Sequence, residues 1–187
     1  MAKQHPEIND ALGAFIGRQR IFFAASAAAG TRINLSPRGT EALRILGPLE
    51  VCYLDQTGSG NETAAHLLAD GRLTLMFCAF EGPPQILRLY GRGEALARGT
   101  PGYAALLEAQ YEGRELPGAR QIVRLAVEIV QTSCGFGVPL FTFMERRTTL
   151  DRWAESKGEE GLAAYRREKN RVSMDGLPTG LPEAEGA

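Results

Sequence analysis

Six short apolar runs, each closed by glycine, proline or a polar turn, constrain this chain more than any other feature of its sequence. They cover residues 21–27, 31–35, 50–55, 72–80, 85–96 and 121–132. None approaches the roughly 20 apolar residues of a membrane-spanning helix. Their lengths and their aliphatic and aromatic content suit strands. The first two flank Ala29-Gly30 and predict a hairpin, with Ile33 and Leu35 on one side of the second strand and Arg32 and Asn34 on the other. Ser36-Pro37-Arg38-Gly39 is expected to end that strand, because proline cannot donate to a ladder. Gly91 and Gly93 interrupt the fifth run and mark a bulge or barrel corner.

Helical patterns fall between these runs. Ile8, Leu12, Phe15 and Ile16 recur at helical spacing over 7–18, and further helices are expected over 61–69 and 101–111. Leu150, Trp153 and Ala154, then Leu162, Ala163 and Tyr165, predict two short helices broken at Lys157-Gly158. Strands with helices inserted among them, without strict β-α-β alternation, predict an α+β fold on a six-stranded antiparallel barrel. The 187 residues suffice for one filled core. The expected domain is 1–177, including the C-terminal helices, with a flexible tail over 178–187.

A net charge of −1 offers no electrostatic footprint for nucleic acid or an anionic membrane surface. The first fifteen residues lack the apolar centre of a signal peptide, and Cys52, Cys78 and Cys134 form no CxxC pair. Both points suit a reducing, cytoplasmic setting. The two histidines, His5 and His66, have no partner at metal-ligand spacing, so no metal site is expected. Neither G-x-S-x-G, a Walker GK[ST] nor a G-x-G-x-x-G after a strand occurs. Cys134 has no histidine or lysine close by in sequence and is taken as structural.

One stretch suits ligand chemistry, Thr57-Gly58-Ser59-Gly60-Asn61-Glu62-Thr63. Ser59 and Glu62 have capping-box spacing, which sets a helix start there. A helix start presents unpaired N–H groups, glycines let a ligand approach the backbone, and Ser59, Asn61 and Thr63 add side-chain donors. Two readings stay open from the residues alone: a capped surface helix, or a cradle for a phosphate monoester. Arg32, Asn34 and Arg38 likewise serve either as solvent-exposed polars or as contacts to a phosphate or ring edge.

The sequence resembles the pyridoxamine 5′-phosphate oxidase-related FMN-binding split-barrel family. The likeness is carried by Phe22-Phe23, Asn34-Leu35-Ser36-Pro37-Arg38-Gly39, Tyr53-Leu54-Asp55 with the 57–67 stretch, and Leu75-Met76-Phe77-Cys78-Ala79-Phe80. Leu87-Arg88-Leu89-Tyr90-Gly91, Cys134-Gly135-Phe136-Gly137-Val138-Pro139 and Ser173-Met174-Asp175-Gly176-Leu177-Pro178 complete it, in order along nearly the whole chain. The resemblance implies a six-stranded split barrel that forms a homodimer with FMN at the interface. It implies that Arg32, Ile33, Asn34, Leu35 and Ser36 lie beside the flavin ring. It puts Thr57, Gly60, Asn61 and Thr63 at the phosphate, and Arg88 near the ribityl chain or partner.

The departures point away from the oxidase proper. Its second strand ends in a lysine where this chain has Pro37, and its Ser-Arg-Lys phosphate clamp is replaced by Asn61-Glu62-Thr63. Its C-terminal arginine and histidine pattern is missing from 175–187. The expectation is an FMN-dependent oxidoreductase with an unassigned small-molecule substrate. A non-enzymatic flavin binder, or the same barrel holding a deazaflavin or haem, is the alternative.

Overall fold

The computed structural model describes residues 2–182. Its strands are β1 (Lys3–His5), β2 (Ile21–Ser26), β3 (Asn34–Gly39), β4 (Leu43–Gly47), β5 (Glu50–Gln56), β6 (Arg72–Cys78), β7 (Ile86–Ala97) and β8 (Ala119–Ser133). The helices are α1 (Asp10–Arg18), α2 (Glu62–Ala69), α3 (Pro101–Tyr111) and α4 (Thr149–Lys169). All ladders are antiparallel, in the order β3-β2-β6-β7-β8-β5-β4, with β1 on β8. The α+β expectation holds, with eight strands in place of six. β4 follows a single turn of 3-10 helix at Thr40–Ala42 and pairs with β5. β1 is polar, so it has no hydrophobic signature in sequence. It forms because β5 occupies the edge of β8 only as far as Ala126, leaving Val130, Gln131 and Thr132 open for pairing.

The sheet curls round one apolar interior, where Phe22 meets Tyr53 edge-on at 5.3 Å and stacks on Phe77 at 5.8 Å. α1 closes one end with Leu12, Phe15 and Ile16, its start capped by the Asn9 side chain accepting from the Leu12 N–H at 3.0 Å. Each of these three side chains contributes roughly 1.5–3 kcal/mol by burial. β5 is buried on both faces. Val51 and Tyr53 face the interior, while Cys52 and Leu54 meet Tyr103 and Tyr111 of α3.

Pro37 corrects the expected strand end. It lies inside β3, opposite Phe23, and the strand runs on to Gly39. β3 is an edge strand, so the missing N–H leaves no ladder partner unsatisfied. The C-terminal break is where the pattern predicts, since Gly158 has φ 63° and ψ 174° between two helical halves. Of the expected tail, Pro178 bridges Val172 and Thr179 is buried, its hydroxyl donating to Asn170 O at 2.6 Å. Residues 183–187 lie outside the described residues.

The register of β7 on β8 shifts between Tyr90 and Gly91. A Cβ at Gly91 would stand 1.9 Å from Ala126 O, which is backbone and cannot turn aside. Gly91→Ala should therefore lower the unfolding free energy by about 3 kcal/mol in urea titration. Gly17→Ala, on an exposed helical position with open space around it, should raise stability by about 0.5–1 kcal/mol.

Candidate functional site

Where β5 ends, its inward face carries a charge. Asp55 has no exposed surface and receives Arg120 Nε at 2.9 Å, Gln121 Nε2 at 2.7 Å and an Arg38 guanidinium N–H. Burial alone would raise its pKa, but Arg120 and Arg38 outweigh that and hold the carboxyl below its usual range. Burial pushes the pKa of Tyr53 up to about 12, and Arg38 lies over that ring at 5.0 Å from its centroid.

The same arginine and glutamine fix the 57–61 loop. Arg120 Nη1 donates to Gly60 O at 2.9 Å and to Asn170 Oδ1 at 2.8 Å, while Gln121 Nε2 donates to Asn61 Oδ1 at 2.8 Å. From the end of α4, Asn170 Nδ2 donates to Gly58 O at 3.0 Å and Arg166 Nε to Thr57 Oγ1 at 2.7 Å. Four side chains from two distant elements thus hold a loop that has no regular structure of its own.

In front of the loop a broad cleft of about 1880 Å³ opens between β3, α1, the loop and the irregular 141–147 segment. Asn34, Ser36 and Arg38 line it from alternate positions of β3, and Gly60, Asn61 and Thr63 line it from the loop and α2. Asn34 Nδ2 donates to Thr63 Oγ1 at 3.0 Å, and Ser36 Oγ to Asn34 Oδ1 at 3.2 Å, joining the two walls. Two buried polar atoms on the cleft lining, Arg38 Nε and Tyr53 OH, have no hydrogen-bond partner.

The ten residues expected at a cofactor therefore fall into two sets. Asn34, Ser36, Gly60, Asn61 and Thr63 converge on the cleft. Thr57 turns away from it, hydrogen-bonded to Gly118 O at 2.8 Å and to Arg166. Arg32 is exposed and pairs with Asp175, and Ile33 and Leu35 are exposed away from the cleft. Arg88 projects from β7 and donates to Ser133 Oγ at 3.1 Å.

The capping box does not form. Asn61 is the N-cap residue and makes no side-chain cap bond, and Ser59 is exposed. Glu62 instead accepts the Met174 N–H at 3.1 Å, drawn off by the C-terminal chain. The first turn of α2 thus keeps its N–H groups uncapped by a side chain. His66 is buried inside, with Nδ1 3.0 Å from Ser26 Oγ, and does not line the cleft. Among the described residues no group of three His, Cys, Asp or Glu could hold a metal ion, and no helix is long and apolar enough to cross a membrane.

Asp55, Arg120, Gln121, Arg166 and Asn170 escaped the sequence reading. A charge ending the buried run Val51-Cys52-Tyr53-Leu54 was the available signal for Asp55, and Arg120-Gln121 opening an aliphatic strand was the matching one.

Comparison with known proteins follows this geometry. Residues 8–134 match the model of the family described as pyridoxamine 5′-phosphate oxidase. The chain is 37% identical to the pyridoxamine 5′-phosphate oxidase family protein ustO of Aspergillus flavus, over 93% of this chain and 76% of that protein. In fold it is similar to HupZ of Group A Streptococcus, with TM-score 0.55, 19% identity, 67% of this chain and 99% of that one. It is also similar to a Lactobacillus delbrueckii protein provisionally assigned as a pyridoxamine 5′-phosphate oxidase, with TM-score 0.51, 19% identity, and 68% and 98% covered.

Removing the buried charge tests the network. Asp55→Asn strands two guanidiniums and should cost about 3–5 kcal/mol at pH 7 in denaturant titration. Because the folded pKa of Asp55 is lowered, its stabilisation is complete above the unfolded carboxylate value and is lost as pH falls. The gap between wild type and variant should therefore narrow below about pH 4.

Proposed function

Because this chain belongs to the pyridoxamine 5′-phosphate oxidase family, we propose that its cleft binds FMN and that the protein is a flavin-dependent oxidoreductase. The observation that carries this reading is the convergence of Asn34, Ser36 and Thr63 with the uncapped start of α2 on one side of the cleft. Uncapped N–H groups at the positive end of a helix dipole suit the phosphate. Polar β3 side chains at alternate positions suit the heteroatom edge of a flat ring. Bound FMN would supply the electron chemistry, and the residues would bind, orient and shield it. The missing lysine and cationic clamp argue for a substrate other than pyridoxamine phosphate. Haem is disfavoured because neither histidine lines the cleft.

A homodimer is part of the proposal. On the outer face of the sheet two cross-strand rows stand uncovered: Pro37, Phe23, Met76, Arg88 and Gln131, then Leu35, Ala25, Thr74, Tyr90 and Ile129. Leu35 is 61% exposed and Ile129 41%, and Phe23, Met76 and Tyr90 are half-buried. A mixed apolar face five strands wide suits the core of a subunit interface. On this reading Leu35 and Arg88, which miss the protomer's own cleft, face the second copy.

Purified protein should be yellow, with the flavin extracted as FMN. Asn34→Ala/Ser36→Ala should weaken FMN about 10–100-fold by fluorescence quenching, without lowering the flavin-free melting temperature by more than a few degrees. Unchanged affinity would move the site elsewhere. A protein that binds deazaflavin and ignores FMN would replace the cofactor, and flavin that NAD(P)H cannot reduce would make it a binder. Sedimentation should show twice the 20.3 kDa chain mass, and Leu35→Glu/Ile129→Glu, both on exposed positions, should return the monomer.

A further inference from the structure

The cleft is larger than one ligand requires. Its volume of about 1880 Å³ exceeds the roughly 300–1,000 Å³ of ordinary small-molecule sites, so a cofactor held near Thr63 leaves space for a second molecule. The two ends of that space differ in chemistry. β3 runs from Asn34, bonded to Thr63, to Gly39, which pairs with Ile21 just after Arg20. Its length sets the two ends about 17 Å apart, at roughly 3.3 Å per residue. The Asn34 end is lined by amides and hydroxyls. At the other end Arg20 and three phenylalanines, Phe80, Phe141 and Phe143, line the cleft.

These rings are held by the chain that carries them. The Phe141 N–H donates to Phe80 O at 2.9 Å, and the two rings meet at 5.5 Å. The Phe143 N–H donates to Glu81 Oε1 at 3.2 Å, and Arg146 ties the segment to Glu41 at 2.9 Å and Asp151 at 2.8 Å. Phe141 is nonetheless 59% exposed and Phe143 45%, so ring surface stays open. Arg20 lies over the Phe143 ring, 5.1 Å from its centroid. Among the described residues it has no carboxylate partner, whereas Glu81, Glu41 and Asp151 are engaged as above and Glu145 is exposed. A guanidinium steadied by a ring keeps N–H groups that can fork onto a carboxylate.

We propose that this end of the cleft is a substrate subsite for a flat, apolar molecule that carries a carboxylate, its rings against the phenylalanines and its charge on Arg20. Aromatic faces favour a flat partner, and a compact inorganic anion would gain nothing from them. The inference rests on the flavin reading only in calling the molecule a substrate.

Naphthoate and its neutral amide serve as probes, titrated calorimetrically into the full chain with and without FMN. Naphthoate should bind about five- to tenfold more tightly than the amide. Arg20→Gln should remove that preference, and Phe143→Ala should weaken both probes by about five- to tenfold. Both positions are exposed, so both variants should fold. Asn34→Ala/Ser36→Ala should leave the naphthoate affinity of the flavin-free protein unchanged. A protein that binds naphthoate in this way but ignores FMN would keep the subsite and remove the flavin reading. Equal affinity for the two probes, or naphthoate binding that neither variant changes, would overturn the proposal. So would failure to bind naphthoate; a dimer that Phe143→Glu then dissociates would assign the phenylalanines to the subunit interface.

Discussion

The carboxylate of Asp55 is the constraint on which the rest of this structure depends. A charge with no exposed surface persists only if enough donors surround it, since desolvating an isolated carboxylate costs several kcal/mol. Here the donors come from different parts of the chain, Arg38 from the edge strand β3, and Arg120 and Gln121 from the start of β8. One buried charge thereby fixes the relative position of three strands. Arg120 then reaches on to Gly60 and Asn170, so the loop and the end of α4 are tied to the same point.

This wiring explains how an irregular, glycine-containing loop can serve as a wall. Freezing a loop on binding costs conformational entropy, and a loop already held in place avoids part of that cost. The side chains holding 57–61 approach from β8 and α4, which leaves the cleft side of the loop for a ligand. The arrangement also divides polar labour within single residues. Thr57 is used structurally by Arg166 and Gly118, whereas Thr63 meets Asn34 on the cleft wall.

Much of the framework was legible in the residues because local physics suffices for it. The helix over 101–111 is found at its expected bounds, with proline in its first turn and Thr100 accepting the Tyr103 N–H. The interruption at Gly91 is a register shift, as a small residue in a long strand suggests. The failures share a cause. β1 has no periodicity and exists only because β8 has open edge to offer. Pro37 stays in a strand because that strand lies at the edge, a fact of sheet order. Glu62 leaves its capping position because Met174, 112 residues later, presents an N–H to it.

By itself, then, the sequence determined the alternation of apolar strands with inserted helices, the turn and break positions, and the polar stretch that borders the cleft. These follow from periodicity and backbone sterics over a few residues. Only the tertiary structure decided which polar residues face a ligand and which face the protein. Asn34, Ser36 and Thr63 converge on the cleft while Thr57 and Arg32 do not, although all five are short polar or cationic residues in turn-flanked segments. For Asn34, Thr63, Thr57 and Arg32 that choice is made by partners 29 to 143 residues away along the chain. Such distances carry no local signal, because a side chain's partner is set by how the sheet closes rather than by its neighbours in sequence.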